Sequence, residues 1–144
     1  AIAAGASQEQ FDQFSALGEE LGLGFQIVDD VLNLQPGDTN WGKALAEDIT
    51  QGKITLQVLL ALERAVPNER ARLIEILNSR THNQALLREA TQIMGRSGAF
   101  SAAREIARHH IKCTKEIAEK MDFLSAEDRT KLVAFIDYIV HRSR

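Results

Sequence analysis

In the stretch GLGFQIVDDVLNL, residues 22–34, Asp29 and Asp30 stand side by side within an otherwise apolar run. Adjacent ionised carboxylates repel each other, and burying either is costly unless a cation compensates. Gly22, Gln26, Asp29 and Asn33 are four, three and four residues apart, so on a helix they form one polar row beside the apolar stripe. Asp30 lies about 100° around the helix from Asp29 and reaches toward the same side. The glycine leaves room for a ligand or a closely approaching backbone. Hard oxygen donors on a helix, with no histidine nearby, suit Mg²⁺ better than zinc. Mg²⁺ also keeps waters and shares phosphate oxygens.

The cations follow downstream. In GKALAEDITQGK, Lys43, Asp48 and Lys53 recur at intervals of five. Two lysines and a carboxylate after an acidic helix end would hold a diphosphate as point charges around a metal. Acids for metals and cations for phosphates imply that the aspartate pair shares divalent cations with a phosphorylated ligand.

The elements that must position these groups read as helices throughout. From Ser7, which is placed to cap, Phe11, Phe14, Leu17, Leu21, Phe25, Val28 and Leu32 recur at threes and fours as one helical stripe. QPGDTN breaks this helix. A helix from about Ile54 to Ala65 ends before Pro67, and NERARLIEILNSR restarts with Asn68 as its expected cap. NQALLREATQIMGRSG exits through Gly95 to Gly98. AFSAAREIARHHIKCTKEIAEKM and SAEDRTKLVAFIDYIVHRSR complete an all-α chain, and Ser125 with Asp128 three residues on resembles a capping box. No period-two run and no fixed repeat interrupts this pattern.

At 144 residues with 44% hydrophobic content, the chain fits a single all-α unit over 1–144. The net charge of −3 conceals an asymmetry: residues 1–72 carry five Lys/Arg against eleven Asp/Glu, and residues 73–144 twelve against nine. Basic residues spread over several helices are no concentrated nucleic-acid footprint. The one cysteine, Cys113, permits no intrachain disulfide and fits a reducing compartment. No apolar run approaches the ~20 residues that span a bilayer, and AIAAGASQEQ has no basic n-region. A cytoplasmic protein is the expectation. An opening of Ala-Ile-Ala-Ala looks like a helix interior or a processed or truncated start.

Other constellations lead nowhere. Glu105 precedes His109 by four residues, which misses the Glu-x-x-His spacing of di-iron helices. Ser15 and Ser125 lack any recognisable His and acid partners. The closing HRSR is explained by the helix macrodipole as well as by phosphate.

GLGFQIVDDVLN followed by GKALAEDITQGKITLQVLLALE resembles the second aspartate-rich region and lysine segment of the trans-isoprenyl diphosphate synthases, the polyprenyl synthetase family. That pattern runs Phe-Gln, two residues, Asp-Asp-x-x-Asp, a loop, Gly-Lys-x-x-x-x-x-Asp, then Gly-Lys-x-Thr-Leu-Pro. Phe25, Gln26, Asp29, Asp30, Gly42, Lys43, Asp48, Gly52, Lys53, Thr55 and Leu56 match it in register. The resemblance implies that Asp29 coordinates Mg²⁺ bridging to an allylic diphosphate and that Asp30 supports that metal shell. By the same resemblance Asp48 would be a further metal carboxylate, and Lys43 and Lys53 would contact the diphosphate. Phe25 and Gln26 would lie where the allylic carbon meets isopentenyl diphosphate. Asn33 stands where the family has a third aspartate, and Gln57 where it has proline.

The family also places another Asp-Asp-x-x-Asp, an arginine pair, a Lys-Thr dipeptide and its chain-length-setting residues upstream, and none is in this sequence. AIAAGAS resembles the segment after the Lys-Thr helix, so the resemblance covers essentially this whole chain and only the C-terminal part of the family. The expectation is an isoprenoid-synthase-type helical bundle represented by its C-terminal helices. Its function would be a prenyltransferase joining isopentenyl diphosphate to an allylic diphosphate with Mg²⁺. Its expected partner is a second copy or the missing N-terminal half. The alternative is a non-catalytic subunit or decayed homologue that acts by binding another chain.

Overall fold

A computed structural model describes residues 4–32 and 47–142. Among them are helices α1 (Gln8–Leu32), α2 (Leu56–Arg64), α3 (Pro67–Ser79), α4 (Gln84–Arg96), α5 (Ala99–Lys120) and α6 (Ala126–Arg142). A further helical stretch covers 47–51, and no strand occurs among the described residues. The QPGDTN break lies outside them. The chain groups into two compact units, Ala1–Val28 with Ile106–Arg144, and Asp29–Glu105.

In the first unit, α1 begins on a reciprocal cap. The Gln10 N–H donates to Ser7 Oγ at 3.3 Å, and the Ser7 N–H donates to Gln10 Oε1 at 2.9 Å, satisfying two donors that a helix start leaves orphaned. Leu17 of α1 is buried with Ala118, Met121 and Ile136, flanked by Phe14 and Leu21. The Phe14 ring meets Phe123 edge-on, with centroids 5.6 Å apart. The buried line then runs through Gly24 rather than Phe25, which is 39% exposed. At 100° per residue, Gly24 lies about 20° from Leu17 and Phe25 about 80° away.

A Cβ on Gly24 would stand 2.7 Å from Ile111 Cδ1 and 3.2 Å from His110 Cβ, so this glycine permits α1 and α5 to approach closely. Gly22, which the polar row singled out, has nothing within 4 Å. Beside the contact, His110 Nδ1 sits 2.7 Å from Glu20 Oε2, a half-buried tie between the same helices. At α6, Ser125 Oγ accepts the Asp128 N–H at 3.1 Å and donates to Asp128 Oδ2 at 2.7 Å. The Asp128 carboxylate therefore takes the hydroxyl instead of returning to the Ser125 N–H.

In the second unit, α2, α3 and α4 pack on one another. Thr55 caps α2 through the Val58 N–H. The expected cap at Asn68 is corrected: α3 starts at Pro67, with Val66 at the N-cap and no side-chain cap bond. Proline at the first helical position presets φ and has no N–H to leave unsatisfied. Asn83 caps α4 by accepting the Ala85 N–H at 2.9 Å.

Leu73, Ile76 and Leu77 of α3 bury against a core shared with Leu87, Ile93 and Met94 of α4. Arg72 clamps the pair from outside, Nε and Nη2 each 2.8 Å from a Glu89 carboxylate oxygen. That fork holds the Glu89 carboxyl below its ordinary range, and Arg72 is raised chiefly by the same bond. Arg96 repeats the link to Glu69 at 2.7 Å.

Gln57 on α2 is fully buried, and neither of its amide atoms has a hydrogen-bond partner among the described residues. An unpaired buried amide costs about 1–3 kcal/mol. Gln57→Leu should therefore raise unfolding stability by about 1–3 kcal/mol, read as a higher urea midpoint at unchanged m-value.

The two helical glycines should respond oppositely. Gly24→Ala should destabilise by about 1–3 kcal/mol through overpacking against Ile111 and His110. Gly22→Ala should stabilise by about 0.5–1 kcal/mol through helix propensity alone. Thermal melts of both variants check the pair.

Candidate diphosphate-binding site

The downstream half of the motif is built on a helix end. Residues 47–51 close with Gly52 at φ +70. The Gly52 N–H donates to Ile49 O at 3.1 Å, and the Lys53 N–H donates to Asp48 O at 2.9 Å. These bonds are a Schellman turn, with glycine at the left-handed position after the helix. Its consequence is local and chemical, because the chain reverses and brings Lys53 back over Asp48. Lys53 Nζ then reaches Asp48 Oδ1 at 3.0 Å. The interval of five between Asp48 and Lys53 is the span of the outer hydrogen bond of this turn.

The Lys53 ammonium is held above the ordinary lysine range. The hydrogen bond it donates to Asp48 is the main cause, with that carboxylate's charge and those of Glu47 and Asp30 acting in the same direction. Asp30, on the last turn of α1, is the smallest of these contributions. Lys53 remains 56% exposed. An exposed ion pair adds little to stability, so Asp48 orients the ammonium while two of its three donors stay available.

Asp29 and Asp30 are both half-buried. Their carboxylates, with no histidine or thiol beside them in sequence, are the hard donor set that suits Mg²⁺, which takes one or two carboxylates and completes its shell with water and phosphate. The residues present therefore fit the metal that the resemblance implies. No group of three or more His, Cys, Asp or Glu converges on one point among the described residues, and Asp48 is engaged by Lys53. Phe25 and Gln26 are exposed on α1 in the first unit. Lys43 and Asn33 lie outside the described residues.

Two supports were not legible from the motif. Thr50 Oγ donates to Thr81 O at 3.0 Å, tying the turn to the segment after α3. Arg80, the C-cap of α3, lies over Gly52: its Nε is 3.0 Å from where a Gly52 Cβ would stand.

The Polyprenyl synthetase family model matches residues 1–94. The chain is 36% identical over 142 residues to the short chain isoprenyl diphosphate synthase of Methanothermobacter thermautotrophicus, covering 99% of this chain and 42% of that protein. It is 32% identical over 139 residues to the nonaprenyl diphosphate synthase of Mycobacterium tuberculosis, covering 96% and 40%. Among solved structures, a decaprenyl diphosphate synthase from Rhodobacter capsulatus superposes with a TM-score of 0.82 at 28% identity, over 99% of this chain and 43% of that one. The chain belongs to the polyprenyl synthetase family, and its fold is the all-α isoprenoid-synthase fold. It spans less than half the length of these relatives.

Asp48→Asn should lower the Lys53 titration midpoint toward the ordinary lysine value. The raised pKa means that the pair's contribution is present below the unfolded lysine value and lost as pH rises through the folded one. Nitrogen-15 NMR of the Lys53 ammonium across the alkaline range reads the shift.

Proposed function

We propose that this chain carries the diphosphate-binding part of a cytoplasmic trans-prenyl diphosphate synthase, which condenses isopentenyl diphosphate with an allylic diphosphate into a longer prenyl diphosphate. The observation that supports this reading most is the Lys53 ammonium, aimed by Asp48 and lying in the field of Asp30. One cation and one acidic helix end are what a metal-bound diphosphate needs on a single side.

The chemistry is ionisation of the allylic C–O bond, attack by the isopentenyl double bond on the freed carbon, and loss of a proton. Mg²⁺, when bound, supplies Lewis-acid neutralisation of the leaving diphosphate. Asp29 and Asp30 would hold that metal, and Asp48, which the family resemblance also offers as a metal carboxylate, is here paired with Lys53. Lys53 and Lys43 donate to the diphosphate oxygens as negative charge develops on them, which is preorganised electrostatic stabilisation. Phe25 and Gln26, one turn earlier on α1, face the reacting carbons in this reading. The remaining carboxylates and the apolar cover come from helices beyond those described, supplied by the N-terminal half or by a homodimer partner. Leu23, Leu59, Phe135 and Tyr138 are large apolar side chains left exposed for such association.

Steady-state assays of condensation with labelled isopentenyl diphosphate test the reading in the complete synthase. Asp29→Ala should cut turnover by orders of magnitude, Asn33→Asp should leave it equal or better, and Lys43→Ala should raise the KM for the allylic substrate. The 144-residue chain alone should be inert and associate in light scattering. Near-normal turnover of Asp29→Ala would remove the metal assignment, and robust turnover by a monodisperse monomer of the chain would remove the need for a second side.

A further inference from the structure

Arg80 stands out on three independent grounds. It is the only non-glycine with positive φ among the described residues, at φ 44 and ψ 43. Left-handed backbone disfavours any side chain with a Cβ, and glycine is the unstrained choice at a helix C-cap. The long side chain that takes the strained position is exposed, and its guanidinium has no ion-pair or hydrogen-bond partner among the described residues. That guanidinium is laid against Gly52, with Nε, Cζ and Nη2 at 3.0, 3.4 and 3.5 Å from the position of an absent Cβ. It therefore flanks the residue immediately before Lys53. The arrangement is braced, because the Thr50–Thr81 bond fixes the residue after Arg80 to the helical stretch that carries the turn.

The geometry points to Arg80 as a second anion-binding cation of the turn, contacting the diphosphate of the substrate next to Lys53. The inference rests on the proposed diphosphate site and deepens it. Glycine at position 52 serves two ends: it adopts the left-handed turn that aims Lys53, and it leaves the space that the Arg80 guanidinium approaches. Lys53 gives a point charge with part of its donor set held by Asp48. Arg80 gives a fork whose paired N–H groups match two oxygens of one phosphate. A cation there for the α3 macrodipole alone would need no strained backbone and no contact with Gly52.

The experiment is calorimetric titration of the complete synthase with inorganic pyrophosphate in Mg²⁺, for the wild type, Arg80→Gly, Arg80→Lys and Lys53→Ala, with thermal melts alongside. Arg80→Gly should weaken pyrophosphate binding by about fivefold or more, the effect of losing a charge-assisted hydrogen bond. Its melting temperature should be unchanged or higher, because glycine relieves the left-handed strain. Arg80→Lys should fall between, keeping the charge without the fork. If Arg80→Gly binds like the wild type while Lys53→Ala is weakened, the inference about Arg80 is overturned and the lysine site stands. Wild-type affinity in Lys53→Ala, or no binding by the wild type, overturns the site itself and this inference with it. A lower melting temperature with unaltered binding in Arg80→Gly assigns Arg80 to the helix end and overturns the inference.

Discussion

A carboxylate pair at the end of a helix constrains whatever is built around it. Asp29 and Asp30 are both half-buried at the last turn of α1, and the Asp30 carboxylate adds to the field that raises the Lys53 ammonium. The cation is not delivered by a long flexible arm from a distant loop. It comes from a turn whose hydrogen bonds are closed locally, with Gly52 in the one conformation that reverses the chain over Asp48.

A turn aims a side chain only as well as its base is fixed. The 47–53 segment is pinned to the end of α3 by Thr50 and Thr81, and α3 is in turn locked to α4 by the Arg72–Glu89 fork and the Arg96–Glu69 pair. These ion pairs are exposed and add little stability individually. Their value is geometric, because bidentate arginine contacts fix the rotation of one helix against another, while the shared apolar core of Leu73, Ile76, Leu87 and Ile93 supplies the cohesion. Positioning thus runs from the α3–α4 core, through a threonine bond, to an ammonium.

Much of this was legible in the spacing of residues. The helices follow from apolar positions at threes and fours, and α2 begins within two residues of expectation because Thr55 and Pro67 punctuate both ends. The motif named Asp29, Asp30, Asp48 and Lys53 by type and interval. What spacing alone could not give is packing. Gly22 and Gly24 are equivalent as letters, yet only Gly24 is pressed by a neighbouring helix, and that depends on which face meets α5. Phe25 fell off the buried line for the same reason, since a stripe traced by threes and fours drifts around the helix. Asn68 is a good cap by type, but Pro67 sits before it and is better suited to the first helical position. Arg80 gave no signal, because nothing in an arginine announces left-handed backbone.

The exposure of Lys53 fits the proposed role better than burial would. A buried lysine would be driven toward its neutral form by desolvation and would lose the charge a diphosphate needs. A lysine more than half exposed and steadied by Asp48 keeps its proton across the whole working range. Its interactions strengthen only when something covers it and water leaves. In the proposed site the covering body is the substrate, together with the helices that close over it. The same ammonium would then be weakly interacting while the site stands open and strongly interacting once the diphosphate is enclosed, so electrostatic stabilisation is concentrated at the step in which the leaving group takes on charge.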